Sequence, residues 1–141
     1  GTQDIFYQNS KVYYYSTHQY PLYPGTGDTN EVGVGNIVNV PLPAGTKSDQ
    51  YQKIFDEMIM SKLEIQQPDF LIISAGFDAH QKDPLASINL LEKDYEIVTS
   101  KLKLLANQSC EGRIVSMLEG GYNIHALEQS MLAHLNELQK L

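Results

Sequence analysis

The residue best placed to do chemistry is Asp78, which closely follows residues 69–73, a segment with an unbroken apolar run from Phe70 to Ile73. Such a run predicts a strand buried on both faces, and Gly76 breaks it. Ligands bind beyond the carboxyl ends of the strands in open α/β sheets, and a carboxylate there can hold a metal ion or transfer a proton. The same position also fits an aspartate that caps a turn or a helix, so both interpretations stay open.

A histidine and a second aspartate follow in the same segment. His80 stands two residues after Asp78, a spacing that can place both side chains near one metal ion. Zinc needs about three protein ligands, however, and a histidine in such a loop is more often simply solvated. Asp83 precedes the turn-forming Pro84, so the segment carries two acids close to one predicted strand end.

A tyrosine follows a second predicted strand, residues 113–118. Gly120 and Gly121 allow a sharp turn there, which would project Tyr122 over the edge of the sheet. A tyrosine hydroxyl in that place can donate a hydrogen bond to a developing oxyanion. The alternative is a structural tyrosine packed against the sheet, and the residues alone do not decide between the two.

The elements that must position these residues alternate along the second half of the chain. Helical spacing of apolar residues predicts helices between Ser48 and Pro68, over residues 92–107, and from the Tyr122 loop to the C-terminus. Strands at 69–73 and 113–118 lie between them. This order predicts an α/β fold with a mostly parallel sheet and helices on both faces, a three-layer α/β/α arrangement.

The first half predicts two strands, residues 11–16 and 36–40, the second of which should end at Pro41. A long loop rich in proline and glycine, residues 17–28, follows the first of them and contains His18. Its tyrosines could line a pocket or could serve only packing. If all strands are parallel, this loop, the Asp78 loop and the Tyr122 loop lie at one sheet edge.

Composition limits the function classes. The chain has 141 residues, 42% of them hydrophobic, which suits one domain or half of a larger one, and its net charge of −7 argues against nucleic acid as a direct partner. The single Cys110 excludes an internal disulfide, and no apolar run is long enough for a membrane span. We expect a cytoplasmic protein with no signal peptide. The start at Gly1 suggests that the sequence is a piece of a longer chain.

Four motifs in order resemble the histone deacetylase family, in its class II and bacterial form with the arginase–deacetylase fold. Residues 1–3 are similar to the end of the family's tandem-histidine motif. Residues 16–18 and 23–27 resemble its Ser-x-His and Phe-Pro-Gly-Thr-Gly motifs. Residues 74–85 and 119–122 resemble the loops that carry a zinc ligand and the catalytic tyrosine. On this resemblance, residues 1–141 are the C-terminal portion of a deacetylase catalytic domain.

The resemblance implies zinc-dependent hydrolysis of an acetylated amine, such as acetyl-lysine or an acetylpolyamine. It makes Asp78 a zinc ligand and Tyr122 the residue that stabilises the oxyanion. It places Tyr23 in the acyl-lysine channel, where the family has phenylalanine, and Leu85 at the channel rim. The resemblance also places Gly120 and Gly121 at the substrate surface. His80 matches none of the family's ligands and is not assigned to zinc.

Family members also bind potassium, and the resemblance extends to both of their sites. Ser16 and Thr17 match contributors to the inner potassium site. Phe6, Asn9 and Val12 match the outer site, mostly through backbone oxygens. We therefore expect potassium as a second cofactor beside zinc.

The resemblance also implies that several catalytic residues of the domain lie outside this chain. The family's other two zinc ligands and its tandem general acid–base histidines precede the position of Gly1. We therefore expect the chain alone to be inactive, and to self-associate or require the N-terminal portion of the same domain as a partner. The alternative hypothesis is a non-catalytic α/β module that binds a partner with the same edge.

Overall fold

The described residues fold as two compact units, residues 1–44 and 45–140, which contain two separate pairs of parallel strands. The structure is a computed structural model and describes residues 1–140. Within those residues, no helix has both the length and the apolar character that a membrane crossing requires.

The first unit contains a short helix and one strand pair. Helix α1 covers Thr2–Phe6, strand β1 covers Tyr14–Gln19 and strand β2 covers Ile37–Leu42. The two strands run parallel, with His18 opposite Pro41. The sequence predicts that Pro41 ends β2, but the strand continues to Leu42. Both strands of a two-stranded sheet are edge strands, and an edge strand tolerates a proline that lacks a donor.

The second unit contains the other strand pair and four helices. Strands β3 (Leu71–Ala75) and β4 (Ile114–Leu118) run parallel, with Ile73 opposite Ser116. The helices are α2 (Ser48–Phe55), α3 (Ser61–Gln66), α4 (Glu92–Ser109) and α5 (Ile124–Gln139), and a π-helical segment, Asp56–Met60, joins the first two. The predicted alternation of helix and strand is therefore confirmed, and the region between Ser48 and Pro68 is two helices with an irregular turn.

One face of the β3–β4 sheet packs against α5 through a buried histidine. The Nε2 atom of His134 lies 2.8 Å from Oγ of Ser116, and its Nδ1 atom lies 2.6 Å from Oγ1 of Thr99 on α4. His134 is 5% exposed, and desolvation lowers its pKa. This side chain thus joins one strand to two helices, which is a structural role consistent with its burial.

Within the described part of the second unit, no element covers the opposite face of the same sheet. Alternate side chains of a strand point to opposite faces, so Ile72, Val115 and Met117 share the face that does not carry Ser116. They are 63%, 45% and 59% exposed, respectively. Parallel sheets are normally covered on both faces, so this apolar surface has the character of an interface.

Candidate active site

Two loops of the second unit meet where β3 and β4 end, because their hydrogen bonding continues beyond the strands. The N–H of Glu119 donates to the carbonyl of Ala75 at 3.0 Å, and the N–H of Phe77 donates to the carbonyl of Gly120 at 2.8 Å. These bonds place the loop that carries Asp78 against the loop that carries Tyr122. The predicted meeting of these two loops at one sheet edge is confirmed.

The carboxylate of Asp78 lies against the backbone of Gly120. A Cβ atom at Gly120 would come within 2.5 Å of Asp78 Oδ2, so no larger residue fits there without movement. Burial raises the pKa of Asp78, the nearby Asp83 raises it further, and the backbone N–H of Asp78 itself opposes both. Asp78 is thus a half-buried carboxylate whose charge the protein itself does little to compensate.

Tyr122 projects from a backbone that is held in place. Its side chain is 57% exposed, which favours a hydroxyl available for chemistry over a tyrosine packed on the sheet. The preceding Gly121 has φ of +139°, a conformation that L side chains rarely adopt, and a Cβ there would lie 2.9 Å from Cδ1 of Leu127. The sharp glycine turn that the sequence predicts is therefore present.

Asp83 is the residue that sequence reasoning left without a role. It is 8% exposed, its Oδ2 accepts the backbone N–H of Tyr122 at 2.8 Å, and its Oδ1 accepts the N–H of Leu85 at 2.9 Å. One carboxylate therefore fixes both its own turn and the start of the tyrosine loop. The Asp-Pro pair signals the turn, but nothing in the sequence signals the long-range bond.

His80 contradicts the expectation that it is solvated, because it is only 1% exposed. Its Nδ1 accepts the backbone N–H of Lys82 at 3.1 Å, and its Nε2 lies 3.3 Å from Oε1 of Glu92 without hydrogen-bond geometry. The burial has a local cause. The backbone of His80 pairs with that of Leu90, which closes the loop between Asp78 and α4 on itself.

An aromatic pair packs against the loop that carries Asp78. Phe77 is 3% exposed, and its ring meets that of Tyr95 edge to face at a centroid distance of 5.0 Å. The Tyr95 hydroxyl donates to the carbonyl of Phe77 at 3.2 Å, and burial raises the pKa of this tyrosine strongly. The residue directly before Asp78 is therefore anchored by packing and by a hydrogen bond.

The third predicted loop belongs to the first unit and follows β1. The ring of His18 donates from Nε2 to the carbonyl of Gly27 at 3.0 Å, which leaves Nδ1 to accept the hydroxyl of Ser16 at 3.0 Å. The Ser16 oxygen thus keeps lone pairs for a cation, as an inner potassium site would require. Thr17 follows it in β1. How this loop relates to the other two stays a prediction.

The predicted substrate-contacting residues are exposed. Tyr23 is 98% exposed in the first unit, and Leu85 is 65% exposed in the second. Gly120 and Gly121 directly precede Tyr122, and Gly120 lies against the carboxylate of Asp78. Exposure is necessary for contact with a substrate, so these assignments stay open as predictions.

The part of the chain that the structure describes offers Asp78 as a metal ligand but no complete set of zinc ligands. Residues 1–140 contain no group of three or more His, Cys, Asp or Glu side chains that could hold an ion. Asp78 fits as a single ligand, because its half-buried negative charge would be neutralised by a divalent cation. A zinc site needs about three protein ligands, so Asp78 can supply only part of one.

The matching family model and two of the curated relatives carry deacetylase names. A family model described as the histone deacetylase domain matches residues 1–138. A probable deacetylase of Archaeoglobus fulgidus is 43% identical over 128 residues, which cover 88% of this chain and 36% of that protein. Histone deacetylase 10 of Oryza sativa, a chloroplastic protein, is 38% identical over 135 residues, which cover 93% of this chain and 30% of that protein. The chain therefore spans about a third of the length of each of these two relatives.

Solved structures agree with the sequence comparison. The HDA15 HD domain superposes with a TM-score of 0.88 at 37% identity, over 98% of this chain and 40% of that one. An acetylpolyamine aminohydrolase of Burkholderia pseudomallei gives a TM-score of 0.86 at 28% identity, over 98% of this chain and 41% of that one. The α/β fold is therefore that of the arginase–deacetylase class. On the family match and this shared fold, the chain belongs to the histone deacetylase family.

Proposed function

We propose that this chain is part of a zinc-dependent deacetylase domain, to which it contributes one metal ligand, Asp78, and one oxyanion-stabilising residue, Tyr122. The observation that carries the proposal is the backbone bond from Phe77 to Gly120, which holds the two loops together at the end of the parallel strands. Zinc, when bound, polarises an amide carbonyl and lowers the pKa of a bound water.

The chain's own residues would bind the metal ion, orient the Tyr122 hydroxyl and stabilise the oxyanion. The Tyr122 hydroxyl would donate a hydrogen bond to the oxyanion that develops when an acetyl amide is attacked. The bond from its backbone N–H to Asp83 fixes where that hydroxyl can reach. The carboxylate of Asp78 would bind metal only when it is ionised. Because burial raises the pKa of Asp78, acid should release the metal at a higher pH than it would from an exposed aspartate.

The proposed substrate is an acetylated amine, such as acetyl-lysine or an acetylpolyamine. The names of the relatives support this class, since they are deacetylases and an acetylpolyamine aminohydrolase. We assign Tyr23 and Leu85 to contacts with the substrate, and their exposure supports this assignment.

We propose that the chain alone has no useful activity. Within residues 1–140 no group of three or more potential ligands surrounds Asp78, and catalytic groups that act as a unit give little activity when they are separated. The remaining ligands and the general base would come from a further portion of the domain.

The test compares this chain with a fusion in which it replaces the matching segment of the Archaeoglobus fulgidus relative. Zinc content and hydrolysis of an acetyl-lysine peptide are measured for both. We expect substoichiometric zinc and no turnover from the chain alone, and both properties in the fusion. Tyr122→Phe should lower turnover of the fusion by about 100-fold or more, whereas Tyr13→Phe, at another exposed tyrosine, should not. Stoichiometric zinc with chelator-sensitive turnover in the chain alone would overturn the proposal.

The uncovered sheet face suggests a further proposal about partners. We infer that Ile72, Val115 and Met117 are covered by another portion of the domain, and that without it they drive self-association. Light scattering of the chain alone should show oligomers, and Met117→Lys should reduce them. A monomeric wild-type chain at tens of micromolar would argue against this inference.

We also propose a reducing compartment, such as the cytoplasm. Cys110, the sole cysteine, is a buried free thiol, as such a compartment favours. Cell fractionation with an antibody against the chain tests this, and recovery in a secreted fraction would contradict it.

A further inference from the structure

The side chain of Asn36 occupies the centre of the carbonyl group expected to form the outer potassium site. Its Nδ2 atom lies 2.8 Å from the carbonyl oxygen of Phe6, 3.0 Å from that of Asn9 and 2.8 Å from that of Val12. These are the same three backbone oxygens that the family resemblance assigns to potassium. The nitrogen therefore lies where a cation bound by all three would have to lie.

The orientation of this amide is dictated by chemistry. Three carbonyl oxygens can only accept hydrogen bonds, so they require the NH₂ group of Asn36 to face them. The other end of the amide is satisfied as well, because Oδ1 accepts the backbone N–H of Val34 at 3.1 Å. Turning the amide over would break all four contacts.

The amide is also enclosed, so it cannot easily make way for an ion. Asn36 is 1% exposed. The turn around it is tight, since Gly33 has φ of +59° and a Cβ there would lie 2.5 Å from Asn36 Oδ1 and 2.6 Å from the carbonyl oxygen of Tyr7. The backbone carbonyl of Asn36 accepts the N–H of Tyr14 at 2.9 Å, which ties the same residue to the start of β1.

We propose that Asn36 replaces the outer potassium ion in this protein. The two hydrogens of the amide, one of them shared, neutralise the partial negative charges of three carbonyls that would otherwise face one another. The segment from Phe6 to Val12 is thereby ordered without a bound ion. This inference concerns a site that the proposed deacetylase function does not use, so either could fail without the other.

The direct test locates a potassium mimic. Crystals of the protein that contains this chain are soaked in thallium(I), whose anomalous signal marks potassium sites. We expect no anomalous peak among the carbonyls of Phe6, Asn9 and Val12 in the wild type. A peak there, with the Asn36 side chain turned away, would overturn the proposal. A peak beside Ser16 belongs to the inner site and serves as an internal positive control.

A variant tests the same point in solution. Asn36→Ala leaves the three carbonyls without their donor, so its melting temperature in choline chloride should fall by about 6 °C or more. Potassium should raise the melting temperature of Asn36→Ala by several degrees more than that of the wild type, since the vacated position then suits an ion. Asn30→Ala, which removes an exposed amide bonded to Asp28, is the matched control and should behave as the wild type. An equal response of Asn36→Ala and wild type to potassium would contradict the proposal.

Discussion

The carboxylate of Asp83 accepts the backbone N–H of Tyr122 at 2.8 Å, across 39 residues of sequence. This bond joins the loop after β3 to the loop after β4 on the side of the sheet edge where the tyrosine projects. Because Asp83 is 8% exposed, water competes weakly for its oxygen atoms. The position of the tyrosine thus depends on a residue with no direct part in the proposed chemistry.

Replacement of Asp83 by Ala should therefore loosen the tyrosine loop. We expect the free energy of unfolding to fall by about 1–3 kcal/mol, since two backbone donors lose their acceptor. In the active fusion, kcat should fall by about tenfold or more while KM changes little, because the loss concerns the orientation of Tyr122. Urea denaturation and steady-state kinetics measure the two effects. Asp83→Asn, which keeps an acceptor oxygen, should recover part of both, and an unchanged kcat in Asp83→Ala would contradict the positioning role.

Tyr122→Phe should separate function from stability. The hydroxyl belongs to an exposed side chain, so its removal should change the free energy of unfolding by no more than about 0.5 kcal/mol. Loss of one oxyanion donor should lower kcat of the fusion by about 100-fold or more. A large loss of stability in the urea titration would show that the tyrosine is instead a packing residue.

Asp78→Asn should stabilise the metal-free chain near neutral pH. The pKa of Asp78 is raised in the folded state by burial, so folding favours its protonated form. The stability linked to that proton is present below the unfolded pKa, about 3.9, and is lost as pH rises through the folded value. The asparagine variant avoids this loss, so its urea midpoint should exceed that of the wild type at pH 7.5. Asp69→Asn, at an exposed position, is the control, and a lower midpoint for Asp78→Asn would contradict the argument.

Gly120→Ala should act through Asp78. The added Cβ would approach Asp78 Oδ2 to 2.5 Å, so either the carboxylate or the loop must move. We expect a cost of about 1–3 kcal/mol in the free energy of unfolding. The same change made in an Asp78→Gly background should cost less than half as much, because the clashing group is gone. Equal costs in both backgrounds, measured by urea denaturation, would rule out this contact as the cause.

His134 should make the fold sensitive to mild acid. Burial lowers the folded pKa of this histidine, whereas the unfolded value is about 6.5. The unfolded chain then binds more protons, so the stability is fully present above pH 6.5 and is lost as the pH falls below it. His134→Gln should flatten the decrease of the urea midpoint between pH 7 and 5. His125→Gln, at a histidine whose side chain is 72% exposed, should leave the decrease unchanged, and an equal slope in all three proteins would contradict this prediction.

The sequence by itself determined the order of elements and the residues at the strand ends. Apolar runs before Asp78 and before Tyr122 marked two strands, and the intervening helix made their parallel pairing the expected arrangement. The glycine pair before Tyr122 predicted a sharp turn. These features are local, because each depends on neighbouring residues and on the periodicity of one element.

The tertiary structure decided what depends on residues far apart in the chain. It buried His80 under a loop that closes through Leu90, where the local sequence suggested a solvated residue. It gave Asp83 a partner 39 residues away, and it placed the Asn36 amide among three carbonyls that its own sequence neighbourhood does not contain. Polar side chains can bond to any group that folding brings within reach, so their partners are fixed only when the chain is packed.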